Sequence, residues 1–218
     1  MRKIVLLIFF SITGALLNIG CNVLFTYYIK LPLYLDTVFT VAVTLSCGLI
    51  WGTICGALSN IFSSIISFQG WGGLLFALCN IAAAYITWLF TRLFPRELNL
   101  TLSAPQIPYN FYGSGKISKW LDKIIVLILL SFALCLAMSV LGGFIAVIIL
   151  SLPSSHSPEA VISSVFRSTM FSQKFPAILS ETLSRIPLNI VDRLISVFAG
   201  YGIALGLRSL LKFSSLRP

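Results

Sequence analysis

Thr37–Thr91 reads TVFTVAVTLSCGLIWGTICGALSNIFSSIISFQGWGGLLFALCNIAAAYITWLFT, 55 residues without one Asp, Glu, Lys or Arg. A helix that crosses a bilayer needs roughly 20 mostly apolar residues. The stretch therefore holds two spans or three, and that number decides the architecture. Breaks fall at Gly48 to Gly52 and at Gln69-Gly70-Trp71-Gly72-Gly73. They divide the stretch, with its flanks, into helices of about 36–50, 52–67 and 72–94.

The rest of the chain is as apolar. Ile4–Ile29 is 26 residues without a charge, and Ile124–Phe166 holds one acid, Glu159, and no base. Over the 218 residues 58% are hydrophobic and 10% charged, with a mean hydropathy of +1.00. A soluble domain carries roughly 25% charged residues, so a soluble enzyme or binding domain is excluded. The sequence predicts an all-α integral membrane protein.

Charge sets the number of spans. Lys and Arg total 15 against six acids, a net +9. Ten of the 15 fall in three clusters: Arg2 and Lys3; Arg92, Arg96, Lys116, Lys119 and Lys123; and Arg208, Lys212 and Arg217. Cytoplasmic loops carry the excess of Lys and Arg. With three helices in the central stretch all three clusters share the cytoplasmic side; with two, the five-base cluster faces out. The expectation is six transmembrane helices at about 4–29, 36–50, 52–67, 72–94, 121–150 and 187–210, with N and C termini cytoplasmic. They form a single domain with a cytoplasmic linker at 95–120 and an outer loop at 151–186.

The start imitates a lipoprotein signal, with two bases, an apolar run and Cys21. The run continues to Ile29, beyond the 7–15 residues of a signal core, and Asn18 stands where such a signal wants leucine. An uncleaved first span is expected. At 1.5 Å per residue it is roughly 39 Å long and must tilt, whereas helices 2 and 3 reach only about 22 Å. Short, glycine-interrupted segments point to a protein-lined cavity, because unpaired backbone cannot face lipid. The same glycines allow close packing, as in Gly52-x-x-x-Gly56. In the outer loop Ser157-Pro158-Glu159 has the form of a helix start, and a short amphipathic helix is expected from there.

Motifs for chemistry are absent. Gly113-Ser-Gly-Lys116 fails as a phosphate loop, which needs glycine at Asn110 and Ser or Thr at Ile117. Asn99-Leu-Thr101 fits a glycosylation sequon but lies in the linker. His156 is the single histidine, and the five cysteines stand in apolar runs without a CxxC, so neither a zinc site nor a disulfide framework is expected. No general acid/base cluster is present; the expectation is no enzyme, no cofactor and no metal.

Polar residues within the helices carry what function the sequence offers. Ser11, Ala15, Asn18 and Asn22 share one face of helix 1, and Asn80, Ala84, Thr87 and Thr91 share one face of helix 4. Helix 6 opens with Arg185, Pro187, Asn189, Asp192 and Arg193. Charges within a span cost about 2.5–3.5 kcal/mol at its centre and face the bundle interior or a wet cavity. For Asp192 and Arg193 two readings stand: a structural ion pair with Arg193 reaching outward, or the lining of an outer pocket. The asparagines serve interhelical hydrogen bonds or a ligand. Asp36 reads as the N-cap of helix 2, and Trp71 as an interfacial anchor or a platform above the pocket.

Leu31-Pro-Leu-Tyr-Leu-Asp-Thr37, Gly48-Leu-Ile-Trp-Gly-Thr-Ile-Cys-Gly56 and Asn60 resemble the helix 2–helix 3 region of the substrate-binding S components of energy-coupling-factor (ECF) transporters. Asn189-Ile-Val-Asp-Arg-Leu-Ile-Ser196 and Ala199-Gly-Tyr-Gly202 resemble their last helix. The resemblance implies a six-helix capture subunit that binds a vitamin or related small organic solute in its outer half. It implies delivery with a membrane T component and two ABC-type ATPases, ATP being used by those partners alone. The implied binding positions are Asp36, Trp71, Asn80, Arg185, Asn189, Asp192 and Arg193. The implied docking positions are Ser11, Gly14 and Ala15, where Ser11-x-x-x-Ala15 stands for the family's Ala-x-x-x-Ala. The histidine-bearing N-terminal segment of nickel and cobalt members is absent, which favours an organic solute. The expected location is the cell membrane, multi-pass, with no nucleic-acid partner. An alternative is a membrane sensory module; the chain ends eight residues after helix 6, so it would need a separate signalling partner. A membrane enzyme of lipid or peptide metabolism is a third reading, disfavoured by the missing acid/base cluster.

Overall fold

Backbone amides that meet no water must be satisfied within their own segment, and long uncharged runs therefore form helices. In a computed structural model that describes residues 2–31, 33–66, 70–98, 116–150 and 176–215, this holds throughout: the described residues form helices and connections, with no strand among them. The elements are α1 (Arg2–Val23), continued by a π-turn (Leu24–Tyr28), α2 (Val38–Cys47), α3 (Leu49–Ile66), α4 (Gly70–Leu75), α5 (Ala77–Leu93), α6 (Pro95–Leu98), α7 (Lys116–Leu150) and α8 (Ala177–Ser215). Among the described residues five helical stretches are long and apolar enough to cross a membrane: Ile4–Thr26, Leu49–Ile66, Gly73–Leu93, Trp120–Ile149 and Ile178–Leu210. The protein is thus an all-helical, multi-pass membrane protein. Its outward faces are apolar, with Val5, Phe9, Ile50, Ile65, Leu136 and Val140 more than half exposed.

The central stretch divides where its glycines stand. Gly48 has φ +96°, a conformation side chains rarely adopt, and it alone separates α2 from α3. The chain reverses there. Gly52 sits against the Thr44 side chain, and Gly56 against Thr40 and the Asn80 backbone. Pairing 44 with 52 and 40 with 56 makes α2 and α3 an antiparallel hairpin closed without a loop. A Cβ on Gly56 would lie 3.0 Å from the Asn80 carbonyl oxygen, so the absent side chain sets the approach of α3 to α5.

The other neighbours follow the same alternation. α7 and α8 run antiparallel, with Ser139 bonded to Asn189 at 2.9 Å and Gly143 packed on Thr182. α2 and α8 run parallel, Thr37 meeting Arg193 and Val38 meeting Gly200. A Cβ on Gly200 would approach the Val38 carbonyl oxygen to 2.7 Å. The core joins α2, α5, α7 and α8 through residues such as Val41, Leu45, Ala83, Leu130, Leu134 and Val197.

Several expected boundaries move. The last helix begins at Ala177, ten residues before the expected 187, and carries Pro187 inside it. Part of the expected outer loop is therefore helix. α2 is ten residues, about 15 Å, because residues 33–37 stay non-helical. The fourth helix is divided at Phe76 into α4 and α5. The linker is helical at Pro95–Leu98 and from Lys116. The remainder of the linker, the helix expected from Ser157, and His156 lie outside the described residues.

Candidate functional site

The short α2 leaves non-helical backbone inside the bundle, and that backbone needs partners. Asp192, fully buried on α8, supplies one: its Oδ1 accepts the Leu35 amide at 2.9 Å. Leu35 is held at φ +44° and 4% exposure, a position that an unbonded amide would not keep. Asn22 of α1 donates to the Tyr34 carbonyl at 3.2 Å. On α8 the next residue completes the link. Arg193 Nη2 lies 2.5 Å from Asp192 Oδ2 and 3.1 Å from Asp36 Oδ1, while Nη1 donates to Thr37 Oγ1. One guanidinium thus ties two carboxylates and a hydroxyl, and with the Leu35 bond it fixes residues 35–37 onto α8.

Asp36 is consequently no N-cap. α2 begins after Thr37, whose side chain makes no cap bond. The orphan amide of Phe39 in the first turn is instead bonded from another helix, by Asn18 Oδ1 at 2.9 Å. Asn18 Nδ2 reaches Thr40 at 3.0 Å and Ser59 at 3.1 Å, so this asparagine serves packing between α1, α2 and α3.

Beneath residues 34–36 lies a small cavity, about 40 Å³ in the space open to water centres. At roughly 10–15 Å³ per water it has room for a few water molecules. Five of the expected site residues line it: Asp36, Asn80, Arg185, Asn189 and Arg193. Asp192 stands behind Arg193 and does not line it. Trp71 falls in α4, and its side chain lies outside the described residues. Sequence reasoning missed Tyr34, Phe76, Cys79, Met138 and Gly142, which complete the wall. It also missed Glu181, fully buried and 4.0 Å from Arg185 Nε. The i, i+4 spacing of Glu181 and Arg185 is a readable signal, but the expected outer loop takes in Glu181 and separates it from the opening of helix 6.

The walls are chemically mixed. The Arg185 guanidinium lies over the Phe76 ring at 5.7 Å, an arrangement that favours a cation. Asn189 is occupied by Ser139. Asn80 is 1% exposed, and neither its Nδ2 nor its Oδ1 has a hydrogen-bond partner among the described residues; the same holds for Arg193 Nε.

The expected docking stripe of α1 points inward. Ser11 and Ala15 are fully buried, and Gly14 is buried with them. Ser11 Oγ donates to the Leu7 carbonyl and lies 3.2 Å from the Trp51 carbonyl oxygen. Gly14 packs on Cys55, Val43 and Phe39. These three residues are used up in the approach of α1 to α2 and α3. Outward small residues occur elsewhere, at Gly20 on α1 and at Ala199, Gly202, Gly206 and Ser209 on α8, with open space beside all three glycines.

No protein-family model, curated protein or solved structure matches the chain.

Proposed function

We propose that this protein is the substrate-capture subunit of an ECF-type ABC importer, taking up a vitamin or related small organic solute from the outer side. The single observation that carries the reading is a cavity lined by the polar residues Asp36, Asn80, Arg185, Asn189 and Arg193, built into the helix bundle beneath a non-helical connection. Polar groups in a membrane interior are costly and mark solute pathways.

The reading includes six spans, with α2 as the short second one and both termini cytoplasmic. The alternation of α1, α2 and α3 and the antiparallel α7 and α8 support it. So does charge. The cavity residues lie at the start of α5, in the first half of α8 and in the later part of α7. Arg92, Arg208 and Lys123 stand 12–15 residues from the nearest cavity residue on the same helix, about 18–22 Å toward the other end. A cytoplasmic basic end puts the cavity outside. Residues 34–37 then form the outer cover, and a solute larger than a few waters enters when that cover lifts.

No step of this function requires the chain to break or form a bond. Binding, occlusion and release are enough, with ATP hydrolysis by partner subunits. In the proposal the subunit sits in the cell membrane and works with a T component and two ATPases. Purification of the tagged protein from native membranes in mild detergent tests this. A T component and ATPases recovered in stoichiometric amounts are the expected result. A signalling protein as the stoichiometric partner, or no partner, would overturn it.

A further inference from the structure

Asn80 is the unusual member of the cavity wall. Asn18, Asn22 and Asn189 are also buried or half-buried, yet each has its amide bonded to a neighbouring helix or connection. Asn80 is as buried as any of them and lines the cavity with both amide atoms unmatched among the described residues. Its position is firmly set: Gly56 packs on its backbone and Cβ at 3.0–3.1 Å for a hypothetical Cβ. A primary amide offers a donor and an acceptor side by side. Arg193, another residue of the cavity wall, has an Nε–H without a partner among the described residues, a second donor. Phe76 and Tyr34 supply flat apolar faces in the wall.

We infer that Asn80 reads an amide-type edge on the solute, an N–H beside a C=O as in lactams, ureides and imides. Asn80 Oδ1 accepts the solute N–H, and Asn80 Nδ2 donates to its carbonyl. Arg193 Nε–H serves a second carbonyl where one is present, and the ring lies against Phe76 or Tyr34. A site built to bond such an edge rejects the analogue that lacks it, because the wall amide is then left unpaired. This inference rests on the capture reading and names the chemistry of its site.

The test uses the detergent-purified full chain and matched probes that differ only at the N–H. They are 2-piperidone against 1-methyl-2-piperidone, and uracil against 1,3-dimethyluracil, each titrated to 10 mM by thermal shift. The expected result is a concentration-dependent rise in melting temperature with at least one unmethylated probe and at least tenfold weaker binding of its methylated counterpart. In Asn80→Leu the selectivity is expected to vanish. Asn80→Asp, which keeps the acceptor and loses the donor, controls for folding and is expected to weaken the unmethylated probe at least tenfold. Absence of a shift with both unmethylated probes, equal shifts within both pairs, or selectivity that survives in Asn80→Leu would overturn the inference and leave Asn80 to bound water. That failure is separable from failure of the capture reading, which the partner purification decides independently.

Discussion

Asp192→Ala is expected to lower the melting temperature of the purified protein by roughly 10 °C, about 3 kcal/mol for breaking a buried ion pair from one side. The carboxylate has two tasks, and alanine ends both. It leaves the Leu35 amide, on a backbone at φ +44°, without its acceptor. It also leaves Arg193, 4% exposed, with Asp36 as its remaining carboxylate in the link. Asp192→Asn separates the tasks, because a side-chain oxygen can still accept from Leu35 while the charge is gone. A smaller loss, about half, is expected for it. Thermal unfolding of the three proteins in one detergent checks the order; an unshifted Asp192→Ala would show that residues 35–37 are held by other means.

Ala15→Leu is expected to damage folding, with recovery of monodisperse protein cut severalfold and stability lowered by about 3 kcal/mol, the upper end for overpacking. Ala15 is fully buried in a cluster with Val43 and Cys55, next to Gly14, where a Cβ would already lie 3.0 Å from the Cys55 sulfur. Three added carbons have nowhere to go. Size-exclusion profiles and thermal unfolding read this directly. If the variant were fully stable yet lost a partner, α1 would have to present this face outward, contrary to the packing described above.

These two residues also mark what the sequence made legible. The helical, membrane-spanning character of the chain, the break at Gly48 and the polar stripes of α1 and α5 followed from charge, glycine placement and helical spacing. Ser11, Ala15, Asn18 and Asn22 were placed on one face, and so were Asn80, Ala84, Thr87 and Thr91; seven of the eight are buried and Asn22 is half-buried. Spacing alone could not say what each stripe faces. A small-residue face suits an internal helix and an external partner equally well, and here α2 and α3 occupy that of α1. The start of α8 was misplaced because Pro187 reads as a helix beginning, whereas it lies inside a helix that starts at Ala177. That error hid Glu181. Asp36 was read as a cap from its local surroundings, but its partner lies 157 residues away, a distance over which sequence pattern carries no signal. The pairing of Asp192 with Arg193 and their place at a cavity were two separate readings from sequence. In the structure Arg193 joins them, since it is both paired and part of the cavity wall.

The central claim is that the cavity captures a small organic solute. The most direct measurement is the small-molecule content of the protein purified from native membranes, released by denaturation and quantified by mass spectrometry against protein. The account predicts one organic solute in near-stoichiometric amount, strongly depleted in a folded Asn80→Leu variant. Recovery of lipid and detergent alone, or of the same solute undiminished in that variant, would contradict it.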